Sequence, residues 1–157
     1  MRIGLGFDAH PFAEGRSLRL GGVEIPHARG LAGHSDGDVL LHAIADALLG
    51  AAGRGSLGEH FPDGAEEWRG ADSSQLLRKV AVLAREAGSR LGNVDAVVIA
   101  EGPRLAPHAA AIRSRLAEIL DVEPGRVSVR GTSSNGLGFA GRGEGIAAFA
   151  VVLLEET

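Results

Sequence analysis

The chain has 157 residues, 45% hydrophobic and 23% charged, which is the size and make-up of one globular domain and excludes wholesale disorder. Its net charge of −4 and scattered basic residues argue against a nucleic-acid backbone binder, whose affinity comes from clustered Lys and Arg. Zero cysteines exclude disulfides, thiolate nucleophiles and Cys-type zinc sites together.

Ile3, Leu5 and Phe7 alternate with small residues, which predicts a strand ended by Pro11. Leu18–Leu20 and Val23–Ile25 flank Gly21-Gly22 as two short strands about a turn. From Ser35 the period lengthens. Ser35 or Asp36 is a candidate cap for a helix with Leu41, Ile44, Ala45 and Leu48 on one face, stopped by Gly53 after Ala52. Residues 54–71 read as one long loop rich in glycine, and so long an irregular stretch in a small domain points to function. A second helix is expected from Asp72 or Ser73, its apolar stripe running from Leu76 through Val80 to Leu91. Val94–Ala100 reads as a buried strand, 107–120 as a third helix and Val127–Val129 as a short strand. The last strand, 145–154, is apolar on both faces and is therefore central in its sheet or covered by another subunit. This order predicts a single-domain α+β sandwich, a mixed sheet with helices on one face. No run approaches the roughly 20 apolar residues of a membrane helix, and the start lacks a signal-peptide layout, so a soluble cytoplasmic protein is expected.

Asp8 and His10 lie two apart on a strand, so both side chains leave the same face near its carboxyl end. His42 lies on the first helix. Two imidazoles and a carboxylate form a known ligand set for catalytic zinc; the same spacing also fits ordinary hydrogen-bonding residues. Asp46, one turn beyond His42, is a candidate acceptor to orient that imidazole. His34 and Ser35 precede the helix and reach toward the same place, with helix capping and exposure as the plain alternatives. Gly4-x-Gly6-x-x-Ala9 is dismissed as a dinucleotide fingerprint because no helix follows it. The glycines around Phe139 and Arg142, and the hydroxyls of Thr132, Ser133 and Ser134, fit either phosphate contacts or tight turns.

Six stretches carry a resemblance that runs the length of the chain. They are Arg2–His10, His34–His42, Phe61–Asp63, Gly70–Ser73, Leu91–Asp95 and Leu137–Ile146. In this order they closely resemble the 2-C-methyl-D-erythritol 2,4-cyclodiphosphate synthases of non-mevalonate isoprenoid synthesis. The resemblance implies a homotrimer around a central channel, with sites at the subunit interfaces. It also implies cyclisation of 4-diphosphocytidyl-2-C-methyl-D-erythritol 2-phosphate with release of CMP. Carried over by position, Asp8, His10 and His42 become ligands of Zn2+, and a second ion, Mg2+ or Mn2+, bridges the diphosphate. His34 and Ser133 become the groups that align and polarise the phosphates, with Ala9 and Ser35 beside them. Ser56, Leu57 and Gly58, with Phe61, Pro62, Asp63, Gly64 and Ala65, face the erythritol end. Ala100, Glu101, Gly102, Pro103, Arg104, Leu105 and Ala106, with Thr132, form the cytidine side, and Ser134 and Asn135 follow Ser133. Phe139 and Arg142 approach substrate or the channel. Three positions depart from the family pattern: Asn135 stands for a common glutamate metal ligand, Ser56 for an aspartate, and Ser133 for a threonine. Another zinc phosphoesterase, or a non-catalytic trimeric module, is the competing expectation.

Overall fold

A computed structural model describes all 157 residues. Strand β1 spans Arg2–Ala13, followed by β2 (Leu18–Leu20), β3 (Val23–Ile25) and β4 (Gly30–Leu31). Helix α1 (Val39–Ala52) and the single turn α2 (Leu57–His60) precede α3 (Ser73–Glu86). Then come β5 (Ser89–Ile99), α4 (Ala109–Leu120), β6 (Val127–Thr132), the short α5 (Gly138–Gly141) and β7 (Gly145–Glu156). Five strands form one mixed sheet in the order β4-β1-β7-β5-β6, and β2 and β3 form a separate hairpin. β7 runs antiparallel to both β1 and β5, and β5 runs parallel to β6. The carboxyl ends of β1, β5 and β6 therefore open at one edge.

The predicted α+β class and one-sided helix layer are what the chain adopts. Along β7, Ile146, Ala148, Ala150, Val152 and Leu154 are buried, whereas Phe149 and Val151 are 39% and 44% exposed. Ile3, Leu5 and Phe7 of β1 continue that uncovered apolar face, and the Phe7 and Phe149 rings lie 4.7 Å apart. β7 is thus central in the sheet, yet only one of its faces is covered within the chain.

The other face of β1 presents no side chains at Gly4 and Gly6. An added Cβ would lie 1.9 Å from the Ala47 carbonyl oxygen at Gly4 and 1.9 Å from that of Ala43 at Gly6. Both glycines are needed for the backbone of α1 to lie directly on the strand, and this gives the glycine pair its structural role. The approach brings His42 of α1 beside Asp8 and His10 of β1.

Several predicted boundaries move. β1 continues through Pro11, because the missing N–H falls at the end of the β1–β7 ladder, opposite Gly145, while the Pro11 carbonyl accepts from Ala32. The cap of α1 is Asp38, not Ser35 or Asp36; its carboxylate accepts from Leu41, Gly21 and Gly22 N–H. Asp72 caps α3, which ends before Gly88 turns the chain at φ 77, so Leu91 belongs to β5 instead of the helix stripe. The 54–71 stretch is not all loop: it holds α2 and a 3-10 turn at Glu66–Trp68. No helix is long and apolar enough to cross a membrane.

Candidate active site

At the open edge, a cavity of about 270 Å3 is lined by Asp8 and His10 of β1, His42 and Asp46 of α1, and His34 and Ser35 of the loop before α1. Leu57, Gly58, Phe61, Asp63 and Trp68 close it from the 54–71 segment, with Phe7 and Leu76 beside them. Asp8 Oδ2 lies 2.7 Å from His10 Nε2 and 3.1 Å from His42 Nδ1, and the two nitrogens are 3.2 Å apart. A tetrahedral centre with bonds of about 2.0 Å separates its ligand atoms by roughly 3.3 Å. Two separations already match, and the third needs the Asp8 carboxylate to open by roughly half an ångström. The donor set, two imidazole nitrogens and one carboxylate oxygen converging within 4.8 Å, fits a divalent metal ion with a position left open.

The same convergence sets the electrostatics. Burial pushes the Asp8 carboxyl up, but hydrogen bonds and charge from His10 and His42 overcome it and hold the pKa at about 2, against 3.8. Burial lowers His10, and the hydrogen bond and charge of Asp8, the Ala32 carbonyl and the charge of Asp63 more than reverse this, raising it above 6.5. His42 is also held from behind, its Nε2 lying 2.9 Å from Ser73 Oγ and 3.2 Å from Ser35 Oγ.

Asp46 does not orient His42. Both nitrogens of that ring are already engaged, and Asp46 Oδ1 accepts from Leu57 N–H at 2.9 Å, fastening α2 to α1. His34 Nε2 donates to the Ala65 carbonyl at 2.9 Å, and Arg16 holds the loop around it by donating to the carbonyls of Gly33 and Ser35. Ser56, Pro62, Gly64 and Ala65 lie on the segment that closes the cavity without lining it, and Ala9 is the strand residue between two of its walls.

The remaining predicted residues lie elsewhere. Ala100, Glu101, Pro103, Arg104, Leu105, Ala106, Thr132 and Ser133 line a second cavity of about 410 Å3, with Gly102 in its turn. Ala9, Ala147, Ile99 and Thr132 pair in one row across the sheet. Three strand spacings therefore put the two rims roughly 14 Å apart. Glu101 anchors the loop after β6 by accepting from the N–H groups of Ser134 and Gly136. Asn135 stands exposed at φ 54, its amide oxygen accepting from Ser133 Oγ, and joins no cluster of metal-ligating groups. Phe139 is 40% exposed on α5, and Arg142 pairs with Glu144. A larger cleft of about 560 Å3 between the ends of α3 and α4 holds no such cluster; its Arg85 is paired with Asp121.

Sequence reasoning missed Trp68, Ser73 and Asp36 as parts of the site. Trp68 walls the cavity, its Nε1 is buried without a partner, and Lys79 sits over its ring. A single tryptophan inside a long irregular segment was the available signal. Ser73 and Asp36 fall inside two of the resembling stretches, but their partnership is not legible in local spacing, because the contacts span 31 and 37 residues.

Comparison with known proteins agrees with this arrangement. The chain is 56% identical over 154 residues, 98% of both chains, to 2-C-methyl-D-erythritol 2,4-cyclodiphosphate synthase of Halalkalibacterium halodurans. It is 58% identical to the Geobacter metallireducens protein of that name, over 99% of both chains. A solved 2C-methyl-D-erythritol-2,4-cyclodiphosphate synthase in a CDP-bound form superposes with a TM-score of 0.90 at 38% identity, over 98% of this chain and all of the other. The bifunctional IspDF of Campylobacter jejuni matches at TM-score 0.96 and 43% identity, over 99% of this chain but 42% of that one. With the YgbB family matching residues 1–155, the chain belongs to the YgbB family.

Proposed function

We propose that this chain cyclises 4-diphosphocytidyl-2-C-methyl-D-erythritol 2-phosphate to 2-C-methyl-D-erythritol 2,4-cyclodiphosphate with release of CMP, a step of isoprenoid precursor synthesis. The observation that carries this is the convergence of Asp8, His10 and His42 on one point, in a chain whose relatives bear that name end to end. The substrate's own 2-phosphate is the nucleophile. A bond forms from its oxygen to the β-phosphorus, the bond from that phosphorus to the bridging oxygen breaks, and CMP leaves with the electron pair. No strong protein base is required; the chain must hold two repelling anions in line and offset charge on the departing phosphate. Zn2+ held by Asp8, His10 and His42 would supply Lewis acidity, and Mg2+ or Mn2+ would accompany the diphosphate.

His34 then faces the phosphates from a loop clamped by Arg16, with its Nε2 tied to Ala65. The segment from Ser56 to Ala65 encloses the erythritol end, and the second cavity takes the nucleotide. Ser133 has to reach the same diphosphate as His34, yet its rim is roughly 14 Å from that of β1. A second copy that sets its nucleotide cavity against the first copy's metal cavity resolves this, and the uncovered face of Ile3, Leu5, Phe7, Phe149 and Val151 is apolar surface fit for burial between copies. We read the assembly as the homotrimer that the sequence resemblance implies. Asn135 would offer a second ion an amide oxygen without charge, so the negative charge attracting that ion would come from the substrate's own diphosphate.

Phosphorus NMR of the cytidyl substrate with protein, zinc and magnesium tests the reading. A cyclic diphosphate appearing beside CMP is expected. A linear, hydrolysed product carrying oxygen from labelled water would identify a phosphoesterase instead.

A further inference from the structure

Behind His42, on the side away from Asp8, lies a chain of polar groups that the reaction itself does not use. Asp36 is an acceptor throughout: its Oδ2 takes the Ser73 N–H at 3.1 Å and its Oδ1 takes the Asp38 N–H at 3.1 Å. Backbone N–H groups only donate, so this carboxylate faces donors on both oxygens. Its Oδ1 also lies 2.5 Å from Ser73 Oγ. A carboxylate has no proton to give, so the Ser73 hydroxyl must donate its single proton there. What Ser73 Oγ then offers the His42 ring, 2.9 Å away, is a lone pair. The ring must answer with a proton on Nε2. Nδ1, 3.1 Å from Asp8 Oδ2 and 3.2 Å from His10 Nε2, is then the nitrogen whose lone pair a metal ion would take once any proton shared there with Asp8 is displaced.

We infer that Asp36 and Ser73 act as positioning residues that fix His42 in its Nε2-protonated tautomer and so prepare Nδ1 to bind the metal. The inference rests on the reading of Asp8, His10 and His42 as metal ligands. The carboxylate also leans negative charge onto the imidazole through the hydroxyl, strengthening Nδ1 as a donor. Ser35 fits the same state. Its Oγ lies 3.2 Å from both Ser73 Oγ and His42 Nε2 and accepts the Gly37 N–H, so its proton serves the second lone pair of Ser73 while its oxygen shares the Nε2 proton.

The test uses full-length protein, zinc affinity by chelator competition, and nitrogen NMR of histidine tautomers in the metal-free state, with His42 assigned from a His42→Ala sample. Wild type should show His42 protonated on Nε2. Ser73→Ala should show mixed tautomers and bind zinc about 10- to 100-fold more weakly, the range for lost outer-shell partners. Ser73→Thr should restore the single tautomer and most of the affinity. Should Ser73→Ala fail to fold, Asp36→Asn keeps the shape, removes the charge and should give the same mixed tautomers and weaker binding. Wild-type affinity and an unchanged tautomer in Ser73→Ala overturn the inference while leaving the metal site standing. So does weakened binding with an unchanged tautomer, since that marks a merely structural role. Wild-type protein that takes up no zinc overturns the metal reading itself, and this inference with it.

Discussion

Gly6 of β1 lies so near the Ala43 carbonyl of α1 that a single added methyl would sit 1.9 Å from its oxygen. Strand and helix are therefore in backbone contact one residue after His42 and two residues before Asp8. Gly6→Ala must lift α1 off the sheet and draw His42 away from its partners. The expected cost is about 3 kcal/mol, at the upper end for overpacking, together with loss of tight zinc binding. Urea unfolding and zinc uptake measured on one preparation check this; a variant as stable and as zinc-avid as wild type would contradict it.

Asp38 carries three backbone donors on one fully buried carboxylate, those of Gly21, Gly22 and Leu41. Burial pushes its carboxyl up, with the Gly22, Leu41 and Gly21 N–H groups opposing and the charge of Asp36 adding to the rise. Asp38→Asn trades one acceptor for an NH2 group facing N–H donors. A loss of about 2–3 kcal/mol is expected, read by chemical denaturation, and Asp38→Ala should lose at least as much because it also removes the helix cap.

The Asp8–His10 pair sets a pH window for the metal-free protein. The Asp8 pKa is depressed, so its stabilisation is complete above 3.8 and is lost as pH falls through about 2. That of His10 is raised, so its stabilisation is complete below 6.5 and is lost as pH rises through the higher folded value. Urea midpoints of wild type relative to His10→Gln should differ most between these limits and converge at alkaline pH. Zinc must displace the His10 proton, so binding should release protons and weaken as pH falls below that folded value. A difference that grows with rising pH would refute the assignment.

Shared sites can be tested by complementation. His42→Ala spoils the metal cavity and Ser133→Ala the nucleotide cavity. If each working site draws one cavity from each of two copies, co-refolding the two inactive variants should revive about one quarter of the sites in a randomly mixed ring. Activity that stays at the sum of the two separate variants would show that each chain is self-sufficient.

The parts of this architecture legible in the sequence are those encoded by local period. The alternation of Ile3, Leu5 and Phe7 marked β1, and the spacing of Asp8 and His10 placed both on one face. Leu91 was misassigned because its spacing from Leu83 and Ala87 fits a helix stripe, and only Gly88 at φ 77 decides that the chain turns. Asp46 was chosen as the partner of His42 because one helical turn is visible in a sequence. The group that binds the ring, Ser73, is 31 residues away and meets it only when α1 and α3 pack. The division of the expected site between two cavities is implied by the family resemblance alone, since it follows from strand order and not from spacing.

Phe7 borders two regions at once. Its ring packs at a tilt against Phe149 in the bare apolar sheet face, and the same residue walls the chamber of Asp8, His10 and His42. Any neighbour that settles on that face squeezes the lining of the chamber directly, with no intervening lever. Docking and ion capture should therefore reinforce each other, so that a solitary protomer releases its cation sooner than an assembled one.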